Sequence, residues 1–173
     1  EVKLSDEQLV TFDRHVIHKL KTLEEATPIV EEMIRQERKL LFVCNQVKRA
    51  QRLYMELHEK YPEVPSMLIH SRFKRGDRSR LEQDLKEKYD KGTEACIVVS
   101  TQVVEVSLDI SFDVMITECA PIDSLIQRFG RINRRRSYET IGQQKPIYVL
   151  APPDQEAECK PYKLDVLQRS FDA

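Results

Sequence analysis

Six short β-type runs, at 14–20, 39–44, 67–70, 95–99, 113–117 and 146–150, alternate with stretches of helical periodicity. Strands that take turns with helices fold as α/β domains: a mostly parallel central sheet with helices on both faces. Runs such as KLLFVC and ACIVV are apolar throughout, which predicts strands covered on both sides. Helix starts are legible between the runs. Thr27-Pro28 fits an N-cap and N1 pair, with Ile29, Val30, Met33 and Ile34 at helical spacing behind it. Asn45 is placed to cap a second helix, whose Val47, Ala50, Leu53, Tyr54 and Leu57 form a stripe. Asp77 is placed to cap a third, with Leu81, Leu85 and Tyr89 on its inner side. Residues 1–13 read as an N-terminal segment or linker, and 14–150 as the folded domain. Residues 151–173 carry three prolines and then the helical YKLDVLQRSF, and read as a linker and helix toward a following domain.

Composition narrows the classes of function. Charged residues make up 33% of the 173 and aromatics 7%, the profile of a globular domain with a core of its own. No stretch approaches the roughly 18 apolar residues of a membrane span. The chain opens Glu-Val-Lys, without Met and without a leader pattern, and reads as a piece of a longer protein. Cys44, Cys96, Cys119 and Cys159 show no C-x-x-C spacing, so no metal site is predicted. Buried thiols in a reducing cytoplasm are the expectation. His15 and His18 are three apart in a strand, which points them to opposite faces. The formal net charge of −1 argues against binding DNA by bulk charge, so local clusters would have to do it.

In an open parallel sheet, ligands bind beyond the carboxyl ends of the strands. The segments there are Asn45-Gln46-Val47-Lys48, Ser71-Arg72-Phe73-Lys74-Arg75-Gly76, Ser100-Thr101-Gln102 and Glu118. Hydroxyls, amides and cations suit phosphate oxygens, although turns and caps favour several of the same residues. The stretch QRFGRINRRR is denser, with five arginines between positions 128 and 136. It follows a helix with Pro121 suited to N1 and Ile122, Leu125, Ile126 and Phe129 on one face. If that helix continued, Gln127, Arg131 and Arg134 would share the other face; Gly130 is equally suited to end it at C′. Guanidinium forks fit phosphate, and a solvated basic helix end is the plainer alternative.

These residues also match a known pattern. Gln127-Arg128-x-Gly130-Arg131-x-x-Arg134 resembles motif VI of superfamily 2 helicases. STQVVEVSLDI (100–110) is similar to motif V, and LLFVCNQVKRAQRL (40–53) to motif IV. They stand in the family's order, each after a predicted strand. Within the superfamily, HSRFKRGDR, STQVVEVSLDISFDV and APIDSLIQRFGRINR resemble the CRISPR-associated helicase–nuclease of type I systems. Ser107 takes the place of the usual motif V glycine, a departure shared with that family. The resemblance covers roughly 14–150 and implies a second RecA-like lobe.

By resemblance, Arg131 and Arg134 would be arginine fingers for ATP, and Gln127 would bond the γ-phosphate or the attacking-water network. Asp109 would meet the ribose or couple to the arginines. Thr101, with Asn45, Ser71 and Arg72, would hold the backbone of single-stranded DNA. The implied partners are the first RecA-like lobe of the same protein, a nuclease domain and a CRISPR RNA-guided surveillance complex. Mg²⁺ would be held mainly by that first lobe. The chain has four glycines, and none belongs to a G-x-x-x-x-G-K-[ST] loop; a D-E-x-H box and a His/Asp nuclease cluster are also absent. Half an ATP site, inactive alone, is the reading. A lobe of a DNA-repair or RNA helicase, and a non-catalytic nucleic-acid-binding α/β module, are the alternatives.

Overall fold

The computed structural model describes residues 13–72, 80, 83–84, 94–107, 111–134 and 141–173, without the side chains of 106 and 107. The strands are β1 (His15–Leu20), β2 (Lys39–Val43), β3 (Ser66–Ile69), β4 (Cys96–Ser100), β5 (Val114–Glu118) and β6 (Lys145–Leu150). Between and after them run α1 (Thr27–Arg35), α2 (Val47–Lys60), α3 (Val104–Ser107), α4 (Ile122–Phe129) and α5 (Leu164–Asp172). All six strands join one sheet in the order β1-β6-β5-β2-β4-β3, and every neighbouring pair is parallel. Asp77, Leu81, Leu85, Tyr89, Asp109, Arg135 and Arg136 lie outside the described residues.

The wholly apolar runs occupy the middle of the sheet. Strand β4 is buried at all five positions, and β2 and β5 at four of five. Alternate residues of these strands serve two separate cores, as a two-residue period requires. Leu41, Val43, Val98, Met115, Ile147 and Val149 face one; Leu40, Phe42, Ile97, Val99 and Ile116 face the other. On the second side α1 and α2 contribute Val30, Ala50 and Leu57, with Leu53 and Tyr54 partly buried. On the first side lie Val104 of α3, Leu125 of α4 and Leu167 of α5. Helix α5, the helix expected within 151–173, packs on this sheet: Leu167 is fully buried.

Three capping expectations give way to other arrangements. Thr27 enters α1 as a helical residue behind a short 3₁₀ turn, with Ala26 at the N-cap. The N-cap of α2 is Gln46, because the Asn45 side chain is committed to Arg128 and the Cys119 carbonyl. Pro121 takes the N-cap of α4 in an extended conformation, one position before N1. His15 and His18 diverge as their spacing requires. His15 Nε2 lies 2.9 Å from the Ile132 carbonyl, and the His18 ring stacks on Tyr148.

All four cysteines are free and buried. Desolvation pushes the Cys96 thiol up to about 12 and that of Cys119 up to about 11, and raises Cys44 further. The reactive thiolate is thus suppressed in the folded state. Iodoacetamide at pH 8 should leave Cys44, Cys96 and Cys119 unmodified in the folded chain and alkylate them in urea, as read by peptide mass spectrometry. Because these pKa values are raised on folding, the stability they contribute is complete below the unfolded thiol pKa. It is lost as pH climbs from there through about 11 to 12.

Candidate functional site

The chain leaves β2 toward β3 on one side of the sheet and leaves β5 toward β6 on the other. The carboxyl ends of β2 and β5 therefore flank a topological switch point, where open α/β sheets form their crevice. A groove of about 900 Å³ opens there, with Asn45, Arg49, Glu118 and Glu158 in its lining. Arg49 spans it, reaching Glu118 at 3.0 Å and Glu158 at 3.4 Å.

Arg128 occupies the centre of this edge with no exposed surface. Its Nε donates to Glu105 Oε1 at 2.9 Å, and its Nη1 to Thr117 Oγ1 at 2.9 Å and the Glu118 carbonyl at 3.1 Å. Its Nη2 donates to Asn45 Oδ1 at 3.0 Å. Desolvating a guanidinium is costly, and this set of acceptors offsets it. Satisfying Arg128 also fixes the roll of α4. The helix buries Leu125 and Arg128 and leaves Ile122 46% and Ile126 59% exposed. The expected apolar face of four is thus replaced by one built around a buried cation.

The end of α4 resolves the open question about Gly130. The helix stops at Phe129, and Gly130 keeps right-handed angles (φ −60°, ψ −6°). Arg131 N and Ile132 N continue the turn, donating to the carbonyls of Arg128 and Phe129. The left-handed residue is Asn133, at φ 52°. Asparagine tolerates that region better than most residues. Its Nδ2 donates to the carbonyls of Arg14 and Gln143. Gln127 and Arg131 are therefore one turn apart, whereas Arg134 lies beyond the reversal, with its N–H on Ser111 Oγ at 3.1 Å. A shared helical face for all three does not form. Gln127 and Arg134 are exposed; Arg131 is half-buried, and its Nη2 donates to the Glu105 carbonyl at 2.5 Å.

The residues nominated for a nucleic-acid backbone sit on three successive strand ends, β2, β4 and β3. Asn45 is buried, and its carbonyl accepts from Gln102 Nε2 at 2.8 Å. Thr101 is also buried, and its Oγ1 meets no partner among the described residues. Ser71 and Arg72 are exposed in the turn beyond β3. The preceding His70 is buried, which lowers its pKa, and the Arg72 charge adds to the shift. Asp109 lies outside the described residues. Sequence reasoning placed Glu118 on this edge without a partner, and missed Glu105, Arg49 and Asn133. Glu105, Glu118 and Arg49 find their partners 23, 73 and 69 positions away, beyond any local pattern. Asn133 left a fainter sign, an asparagine just after a helix.

The described residues form no cluster of His, Cys, Asp or Glu fit to hold a metal ion. Chemically, the edge offers arginine forks and a glutamine amide, a donor set suited to phosphate oxygens.

Residues 36–137 match the family described as CRISPR-associated nuclease/helicase Cas3, C-terminal. A putative CRISPR-associated nuclease/helicase Cas3 of Myxococcus xanthus is 37% identical over 140 residues, which are 80% of this chain and 18% of that protein. The crystal structure of T. fusca Cas3-AMPPNP superposes with a TM-score of 0.75 at 26% identity, covering 92% of this chain and 21% of that one. A chain of a CRISPR RNA-guided surveillance complex, pre-nicking, gives a TM-score of 0.70 at 25% identity, covering 92% and 22%. The chain spans about a fifth of the length of these relatives.

Proposed function

Because the chain belongs to the family of the CRISPR-associated nuclease/helicase Cas3 C-terminal domain, we propose that it is the second motor lobe of an ATP-dependent single-stranded-DNA helicase acting in CRISPR interference. The fold is RecA-like, and the family is one of helicases. Within that frame, Arg131 and Arg134 donate to the phosphates of ATP bound by the first lobe, and Gln127 bonds the γ-phosphate or its water. The charge that develops during phosphoryl transfer is stabilised by such arginines. Asp109 meets the ribose or couples to the arginines, and Mg²⁺ is held mainly by the first lobe. Thr101, Ser71 and Arg72 follow the sugar–phosphate backbone of single-stranded DNA, with Asn45 bracing them from within, contacts that position without reading sequence.

One observation carries this reading. The enclosed Arg128 ties α4, which leads into Arg131, to the ends of β2 and β5 and to the turn after β4. On this reading, the turn that bears Thr101 and the helix end that bears Arg131 share one braced edge. A plain basic patch would have no use for an arginine turned entirely inward. The T. fusca structure with AMPPNP and the surveillance-complex chain supply the analogy for nucleotide and for partner.

The reading expects half an ATP site. In a phosphate-release assay, this chain alone should show no ATP turnover above buffer, with or without single-stranded DNA. The full-length protein should hydrolyse ATP only when DNA is present. Rapid hydrolysis by the chain alone would overturn the half-site assignment.

A further inference from the structure

Helix α3 is a single turn of four residues, too short to hold itself by helical cooperativity. Its anchors are therefore tertiary. Val104 is buried in the core, and the turn bond from Glu105 N to the Gln102 carbonyl at 3.0 Å joins α3 to Gln102. Gln102 in turn donates to the Asn45 carbonyl. The remaining anchor is Glu105, which meets two arginines of the same motif in two different ways. Its carboxylate takes Arg128 Nε at 2.9 Å, and its backbone carbonyl takes Arg131 Nη2 at 2.5 Å.

The two contacts are not equivalent. Arg128 has no exposed side-chain surface and Glu105 only 11%, so water barely screens the pair. An ion pair of that kind fixes geometry far more firmly than a solvated one, which holds little. Arg131 is half-buried, and its contact is to a neutral carbonyl whose position follows α3. The carboxylate holds α3 to α4, and the carbonyl then seats the Arg131 guanidinium. Asn45, through Gln102, and Thr101, whose carbonyl accepts Val104 N at 3.2 Å, lie at the other end of the same turn.

We propose that Glu105 is a positioning residue for Arg131, the link through which the turn 101–105 sets where that guanidinium rests. This deepens the functional reading above and rests on it. Glu105 touches no substrate. It keeps the finger and the DNA-facing turn in one frame, so that displacement of the turn moves the guanidinium. Misplacing a transition-state group by an ångström costs on the order of 10²-fold in rate.

The test uses the full-length protein and its DNA-stimulated ATPase. Glu105→Ala should lower kcat by about 10- to 100-fold while the KM for ATP stays within about threefold. Glu105→Gln keeps an oxygen for Arg128 Nε without the charge, and should fall between wild type and alanine. In an Arg131→Ala background, Glu105→Ala should lower the residual rate by no more than about twofold, because the two act through one group. A full additive loss there would overturn the proposal, as would a kcat unaffected in both Glu105 variants. If Glu105→Ala does not fold, as read by its melting curve, Glu105→Gln carries the same double-variant comparison. The failures separate cleanly. An Arg131→Ala protein that hydrolyses ATP normally sinks the motor-lobe reading itself. A dead Arg131→Ala beside unaffected Glu105 variants sinks only this inference.

Discussion

Replacing Arg131 by alanine in the full-length protein should cut DNA-stimulated ATP hydrolysis by about 10³-fold or more, the scale of an arginine finger. Affinity for single-stranded DNA should stay within about twofold, since the proposed backbone contacts belong to other residues. The two readouts decide between distinct roles. A finger acts on charge that develops only in the transition state, so its loss falls on kcat. A phosphate clamp on DNA would instead weaken binding and its salt dependence together. Equal loss of both activities would return Arg131 to the plain basic patch. Arg131→Lys should recover little, because an ammonium cannot reproduce the planar fork. Fluorescence anisotropy with a labelled oligonucleotide, beside phosphate release, makes both measurements on one preparation.

The second large effect is structural. Arg128→Ala should destabilise this chain by about 3–5 kcal/mol, the cost of breaking a buried ion pair by removing one partner. Glu105 would keep a largely buried carboxylate without its cation, and Asn45 Oδ1 and Thr117 Oγ1 would each lose a donor. At this chain length the melting temperature should fall by roughly 6–20 °C. Arg128→Lys should also destabilise: one ammonium cannot reach acceptors spread over α3, β5 and the end of β2. An Arg128→Ala protein that melts within about 2 °C of wild type would mean that the network relaxes around water at little cost. Differential scanning calorimetry settles the point without any activity assay. Against this, Arg131→Ala should leave the melting temperature nearly unchanged.

How much of this was legible beforehand follows the range of each interaction. The β-runs of the sequence correspond to the six strands within a residue or two at either end, because burial on two faces writes itself into consecutive positions. Parallel order followed from strands taking turns with helices. The helix caps were less legible. Asn45 looks like a cap to any local rule, yet Arg128, 83 positions on, claims its side chain. The face of α4 failed for the same reason. A periodicity argument counts isoleucines as inward and arginine as outward, and it has no term for four acceptors waiting at the sheet edge. Arg128 is spent on packing and on a salt bridge to Glu105, which lies outside its own motif. Gln127, Arg131 and Arg134 were nominated from their spacing and from resemblance. The structure adds that Asn133 reverses the chain between the last two.

The pairing of β1 with β6 also governs how the domain is assembled. The first strand is zipped to the last, and His15 bonds Ile132 across 117 residues. At roughly 5–20 residues per second of synthesis, β1 would wait on the order of ten seconds for β6, its one neighbour among the described strands. Closing so long a loop before any contact repays it is the kind of step that slows folding. A waiting strand with open N–H and C=O groups is also an invitation to other chains. Mutations that loosen the β1–β6 seam are therefore expected to show first as poor yield and aggregation during synthesis, well before they touch the rate of any motor.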